Sequence, residues 1–239
     1  MAIAKKLGAA LLLFASLAGC ATPGGNPADP LEPLNRSVFI FNDTVDGAIM
    51  KPVARGYRAV LPRFVRTGVT NFFSNLQDVW ISVNDFLQGK VQQGVEDGSR
   101  FLFNSTFGLV GILDVASSWG LEKHDEDFGQ TLGRWGVGTG AYLVLPILGP
   151  STVRDGLGLL VDFQTDLVWR IDDVPVRNSL VTLRFIDRRA NLLDTTNVLE
   201  EAALDKYAFV RDAWLQRRRN LVYDGNPPRE RSESDEDSP

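Results

Sequence analysis

The 239-residue chain contains one cysteine, Cys20, and one histidine, His124, so it can form no disulfide within itself. It carries no G-x-S-x-G elbow, no P-loop and no C-x-x-C pair. A phospholipase would have to use His124, whose setting Lys123-His124-Asp125-Glu126-Asp127 is a charged loop. That loop could offer a carboxylate partner or bind a divalent cation weakly, but catalysis needs several positioned side chains, and the chain is read as non-enzymatic. A basic surplus is also missing: the net charge is −5, which argues against nucleic acid as a partner. Long apolar runs are scarce as well. The longest, Leu7 to Ala18, falls short of the about 20 residues a spanning helix needs.

What is present begins with that run. Lys5 and Lys6 precede it, and small residues lead into Cys20, the layout of a cleaved export signal over residues 1–19. Leu17-Ala18-Gly19-Cys20 resembles a lipobox, which implies that Cys20 is lipidated and anchors the mature chain to a membrane. By resemblance to enterobacterial sorting signals, Ala21 after the cysteine favours the outer membrane. No other cofactor is expected beyond this covalent lipid. Residues 20–30 are rich in glycine, proline and small side chains and read as a flexible tether. Residues 226–239 are polar and charge-dense and read as a disordered tail. The fold is therefore expected within residues 31–225.

Its periodicity is helical, and a mainly α fold is expected. Phe64, Val65, Gly68, Val69, Phe72, Phe73 and Leu76 mark one stripe, ended by a polar break at Asp78. Val79, Val83, Phe86 and Leu87 mark a second helix, and Val91, Val95, Leu102 and Thr106 a third. Leu199, Ala203, Tyr207, Val210 and Trp214 share a face near the C-terminus, with Glu200, Glu201, Asp205, Arg211 and Asp212 off it. Tyr142 to Leu148 is apolar enough for a short strand.

Two segments fit a soluble helix poorly. Phe107 to Leu121 is apolar almost all round, and Gly129 to Pro150 is interrupted by six glycines. A helix that is apolar all round must be buried in protein or lipid. Composition leaves open a segment buried in one leaflet and a compact core around Trp80, Trp119 and Trp135.

Ordered motifs bear on that choice. Asp29-Pro30-Leu31-Glu32-Pro33-Leu34-Asn35-Arg36 is followed by Asn84-Asp85-Phe86-Leu87-Gln88-Gly89, Arg100-Phe101-Leu102-Phe103-Asn104-Ser105 and Gly111-Ile112-Leu113-Asp114-Val115-Ala116. Asp127-Phe128-Gly129-Gln130-Thr131-Leu132-Gly133 then runs through Gly136-Val137-Gly138 to Leu145-Pro146, Gly149-Pro150 and Arg154-Asp155. Over about residues 29–220 the chain resembles the MlaA/VacJ family of outer-membrane lipoproteins. The resemblance implies a ring- or disc-like assembly of amphipathic helices in the inner leaflet of the outer membrane. It also implies a polar channel for phospholipids leaving the outer leaflet, a periplasmic phospholipid carrier as acceptor and a porin trimer as holder.

The residues are compatible with that role. A headgroup crossing hydrocarbon leaves polar groups unsatisfied at a cost of several kcal/mol, and a polar channel removes the penalty. Irregular backbone at membrane depth is tolerated where it lines such a cavity. Gly133, Gly136, Gly138 and Gly140 are candidates for a mobile flap there, or for turns and tight packing. By position in the family pattern Phe41 and Asn42 would border the channel on a helix beginning after Pro33, although helix packing explains Phe39 and Phe41 equally well. Lys51, Arg55, Arg58, Arg63 and Arg66 form a basic cluster that could meet lipid phosphates or remain a solvated face. Arg217-Arg218-Arg219 is read as a solvated helix face. A passive lipoprotein bracing a porin is the alternative function, because lipid-facing and porin-facing surfaces are both apolar.

Overall fold

The computed structural model describes residues 26–196 and 203–228; the signal, Cys20, Leu199, Glu200, Glu201 and most of the tail lie outside the described residues. Nine helices and one hairpin carry the described fold. They are α1 (Glu32–Val45), α2 (Lys51–Val60), α3 (Arg63–Leu87), α4 (Val91–Phe107), α5 (Val115–Ser118), α6 (Phe128–Arg134), β1 (Tyr142–Leu145), β2 (Gly149–Thr152), α7 (Val153–Thr165), α8 (Val174–Asn191) and α9 (Lys206–Val222). None of the described helices is long and apolar enough to cross a membrane.

Local signals explain most boundaries. Asp114, Asp127, Thr152, Asp173 and Asp205 accept backbone N–H bonds as N-caps of α5, α6, α7, α8 and α9. Between α1 and α2 the chain continues as a π-helical turn, Asp46–Met50, just ahead of Pro52. A proline there cannot donate to the preceding turn, and widening the helix accommodates the missing bond. Arg189 on α8 fixes this turn through a two-point contact with Asp46, at 2.5 and 2.8 Å. The strand expected near Tyr142 forms, pairing antiparallel with β2 from Tyr142↔Thr152 to Leu145↔Gly149.

α3 and α4, joined by three residues, pack along each other as a helical hairpin. α2 lies on α8 through Ala54, Ala190 and Leu193, with Tyr57 donating to Asp187 at 3.0 Å. The β1–β2 hairpin and α9 share a second apolar cluster built on Tyr142, Val144 and Tyr207, against which Phe39 and Trp214 pack.

The interior is unusual in kind. Among the described residues, 11 buried residues are apolar and 20 are polar or charged. Large apolar side chains lie instead on the outside, with Phe64 76% exposed, Leu102 60% and Val91 62%. In water each such residue forgoes about 1.5–3 kcal/mol of burial, so this surface suits an apolar surrounding.

That inversion corrects several expectations. The polar break at Asp78 does not end a helix: α3 runs unbroken for 25 residues and Asp78 faces inward, 1% exposed. Burial pushes its carboxyl up, and Lys123 and Arg100 oppose the shift. Phe107 to Leu121 is not an apolar helix. α4 stops at Phe107, and Leu109, Val110 and Gly111 take positive φ in a turn whose apolar side chains point outward. Gly111 is required there, since a Cβ at its φ of 87° would stand 2.5 Å from the Asn75 amide. Trp119 and Trp135 are exposed, so they do not form the compact core left open above. Arg211 is buried, and Asp29, placed in the tether, is 2% exposed.

Candidate functional site

The sequence motifs converge on the polar interior. Asp29 and Asn35 form its first knot: the Asn35 amide donates to Asp29 at 2.8 Å and to the Tyr142 carbonyl at 2.9 Å, and its oxygen accepts from Val144 N at 2.9 Å. Tyr207 and Arg211 of α9 close on the other Asp29 oxygen at 2.5 and 3.2 Å. Three segments far apart in sequence, Asp29–Asn35, β1 and α9, are thereby tied together through the Asp29 carboxylate and the Asn35 amide.

The second knot joins the α3–α4 hairpin to the residues that follow it. The Arg100 guanidinium, 2% exposed, donates to Asp114, Ser117 and the Leu121 carbonyl, the last at 2.6 Å. Asn104 holds Asp114 at 3.1 Å and accepts from Ala116 N at 2.9 Å. Burial would raise the Asp114 carboxyl, but bonds from Ser117 and Arg100 bring it below the usual carboxylate range. Nearer the end of α3, Asn84 accepts from Thr131 at 2.7 Å, and Gln88 and Lys90 both reach Glu126 at 2.7 Å. Asp85, Asp97 and His124 lie beside these groups, with His124 Nδ1 2.7 Å from Asp97.

The third knot surrounds α6. Arg218 forks onto Asp127 at 2.5 Å and reaches Asp155 at 3.0 Å, while Arg154 also contacts Asp155 at 3.0 Å. Burial would lower the charge of Arg218, but the two carboxylates outweigh it and hold the guanidinium firmly protonated. Arg218 is thus a structural ion pair, contrary to its reading as a solvated residue. Arg217 does fit that reading, exposed and 2.9 Å from Asp125.

Asp162 on α7 links this knot to α3, accepting from the Trp80 indole at 2.7 Å and from Phe128 N at 3.0 Å. Burial raises its carboxyl to about 6. The native state therefore binds this proton more tightly than the unfolded chain, and stability attributable to Asp162 falls as pH rises from about 4 to about 6. Asp162→Asn keeps an oxygen for both donors and is expected to flatten that part of the stability–pH curve. Urea midpoints at pH 4, 5, 6 and 7 test it, and parallel curves for the two proteins would refute the assignment.

Beside the third knot opens a cleft of about 1020 Å³. Its lining includes Gly133, Gly136 and Gly138 together with Arg154, Arg218 and Arg219, and Gly133 lies directly against the Arg154 guanidinium. Gly133 lies within α6, whereas Gly136 and Gly140 have φ of 92° and 70°, so the irregular stretch begins one turn later than the glycine pattern implies. Gly136 and Gly138 have open space where a Cβ would stand.

Phe41, Asn42 and Gly140 lie outside the cleft lining. Asn42 locks α1 to the hairpin, donating to the Leu145 carbonyl at 2.9 Å and accepting from Ile147 N at 2.7 Å. Phe41 is half exposed beside it, while Phe39 packs edge-on against Tyr207. Of the basic cluster, Arg58 pairs with Asp194 at 2.9 Å, and Arg55 and Arg63 are exposed. Arg154 was quoted only as part of a motif, and its place in the cleft lining was missed. The signal for it was an arginine set in a strongly apolar helix.

The chain is similar to several known proteins. The chain is 38% identical over 220 residues to the intermembrane phospholipid transport system lipoprotein MlaA of Escherichia coli K12, covering 89% of this chain and 86% of that protein. It is 30% identical over 230 residues to the protein of the same name in Haemophilus influenzae, covering 92% of each. A chain solved in work on the structural basis for maintenance of bacterial outer membrane lipid asymmetry superposes with a TM-score of 0.72 at 35% identity. That superposition covers 81% of this chain and 98% of the solved one. The model of the MlaA lipoprotein family matches residues 27–221, and the chain belongs to that family.

Proposed function

We propose that this chain is an outer-membrane lipoprotein, anchored through Cys20 in the periplasmic leaflet, that removes mislocalised phospholipids from the outer leaflet. The observation that carries the reading is the inverted distribution of polarity, with apolar side chains outward and a network of carboxylates and guanidinium groups within. A body of this kind rests in hydrocarbon without spanning it and offers headgroups a polar route. The relatives named for intermembrane phospholipid transport supply the substrate class.

In this reading the helices form a ring or disc in one leaflet, and the cleft beside α6 is part of the lipid path. Arg154 and Arg219 stand in the cleft lining as cationic groups for a lipid phosphate, while Arg218, already forked onto Asp127, contributes structure. Gly133, Gly136 and Gly138 belong to the same lining, with open space at Gly136 and Gly138, while Phe41, Asn42 and Gly140 flank the hairpin side of the passage. A porin trimer holds the protein in place, and a periplasmic phospholipid carrier receives the lipid. No step requires catalysis.

Cells lacking the chain are expected to expose more phospholipid on their outer leaflet, measured by surface-accessible lipid labelling. A wild-type copy should reverse the rise, and Cys20→Ala present at equal level should not. An unchanged outer leaflet in the deletion, with the envelope altered in other ways, would instead support a passive brace for a porin.

A further inference from the structure

One part of the polar interior gathers negative charge without a matching donor. Asp85 stands on α3, Asp97 on α4 and His124 on the loop ahead of α6, and both carboxylates are 0% exposed. One ligand atom from each of the three lies within 4.8 Å of the others. Asp97 is oriented by His124, accepting from its backbone N at 3.3 Å and meeting its Nδ1 at 2.7 Å. Asp85 is different: no N–H or hydroxyl donor reaches either carboxylate oxygen, and its side chain meets only the carboxyl of Asp97.

Other carboxylates of the interior are answered by a cation or an amide. Asp78 has Lys123 and Arg100, Asp114 has Arg100, Asp127 and Asp155 have Arg218, and Glu126 has Lys90 and Gln88. The two ammonium groups on neighbouring segments are thus committed elsewhere, Lys90 to Glu126 and Asp224, and Lys123 to Asp78. A buried carboxylate without a donor is retained only where something else neutralises it.

We propose that Asp85, Asp97 and His124 bind a divalent transition-metal ion of the zinc class. Two carboxylates and one imidazole form a donor set suited to zinc, with a fourth position left open. Ligand bonds of about 2.0–2.2 Å hold donor atoms about 3–4 Å from one another, so the wider separations, within 4.8 Å, close slightly while the 2.7 Å contact of His124 Nδ1 with Asp97 opens. Access is provided by a cleft of about 650 Å³ whose lining includes Glu96, Glu122 and His124. Glu96 Oε2 lies 4.0 Å from His124 Nε2, off the ring nitrogen that faces away from Asp97, so it can orient the imidazole while the fourth position is left to water. The two glutamates at the mouth also favour cation entry. Bound there, the ion links the α3–α4 hairpin to the loop that enters α6, the helix carrying Gly133 at the polar cleft.

The test uses the full mature lipoprotein in detergent, stripped with chelator, equilibrated with Zn²⁺ and passed over a desalting column. Elemental analysis is expected to find one zinc per chain, with a raised thermal midpoint relative to the stripped protein. Asp85→Asn and His124→Gln are each expected to weaken zinc binding by more than the roughly 10–100-fold that loss of a second-sphere partner costs. Asp85→Asn removes the unanswered charge, so its metal-free form should melt no lower than metal-free wild type. Folded wild type that retains no zinc overturns the proposal and leaves a shared proton between Asp85 and Asp97. Equal zinc retention by wild type and both variants overturns it too, because the ion then binds elsewhere.

Discussion

Arg100→Leu is expected to destabilise the fold by about 3–5 kcal/mol, the range for removing one partner of a buried ion pair. The guanidinium is 2% exposed and joins four groups: Asp78, Asp114, Ser117 and the Leu121 carbonyl. Leucine replaces its stem but none of its donors. Asp114 retains bonds from Ser117 and Asn104, and Asp78 retains Lys123, while the carbonyl of Leu121 loses the Arg100 bond. Arg100→Lys tests the geometry separately, since an ammonium keeps the charge but cannot reproduce the planar fork. It should recover only part of the loss. Both effects are read as shifts in denaturant midpoint, and a leucine variant within 1 kcal/mol of wild type, about the net worth of one ordinary hydrogen bond, would mean that this network adds little to stability.

The helices were legible because their period survives inversion. An outward apolar stripe recurs every three to four residues as an inward one does, so α4 is legible from spacing, whereas α3 reads as two helices divided at Asp78 and α9 as a face that starts ahead of Lys206. What spacing could not tell was the direction of the stripe. Asp78 reads as a break because a charged residue in an apolar stripe usually marks solvent, yet here it points to the centre. Arg211 and Arg218 were misjudged by the same rule, since their partners Asp29, Asp127 and Asp155 lie far away in sequence. The turn after Phe107 was hidden for another reason: Leu109 and Val110 take positive φ, which no propensity predicts for such side chains. The motifs that carry the family resemblance contain Asn35, Asn84, Asp85, Arg100, Asn104, Asp114, Asp127 and Asp155, and each of these is part of the polar interior or its edge.

Gly158→Ala is expected to cost about 3 kcal/mol or more, at the upper end of what inserting a methyl into a packed contact does. α6 and α7 touch backbone to backbone at this point: a Cβ on Gly158 would stand 2.5 Å from Gly129 N and 2.7 Å from its Cα. No flexible side chain is available to yield, so the two helices must separate. Separation would reach the third knot directly, because Asp127 caps α6 while Asp155 lies one turn before Gly158 on α7, and Arg218 holds both. Gly129→Ala should act in the same direction through other atoms, its Cβ meeting Arg218 and Asp155 at 2.5 and 2.6 Å. For a chain of this size a loss of 3 kcal/mol corresponds to a fall of about 6–12 °C in thermal midpoint. The same separation would pull Gly133 away from the Arg154 guanidinium it lies against in the cleft lining, so the proposed phospholipid retrieval should fall even in cells where enough folded Gly158→Ala protein accumulates. A variant that melts like wild type would show that the α6–α7 contact yields freely. One that melts low but, when accumulated to the wild-type level, fully restores the outer leaflet would uncouple this contact from the lipid path.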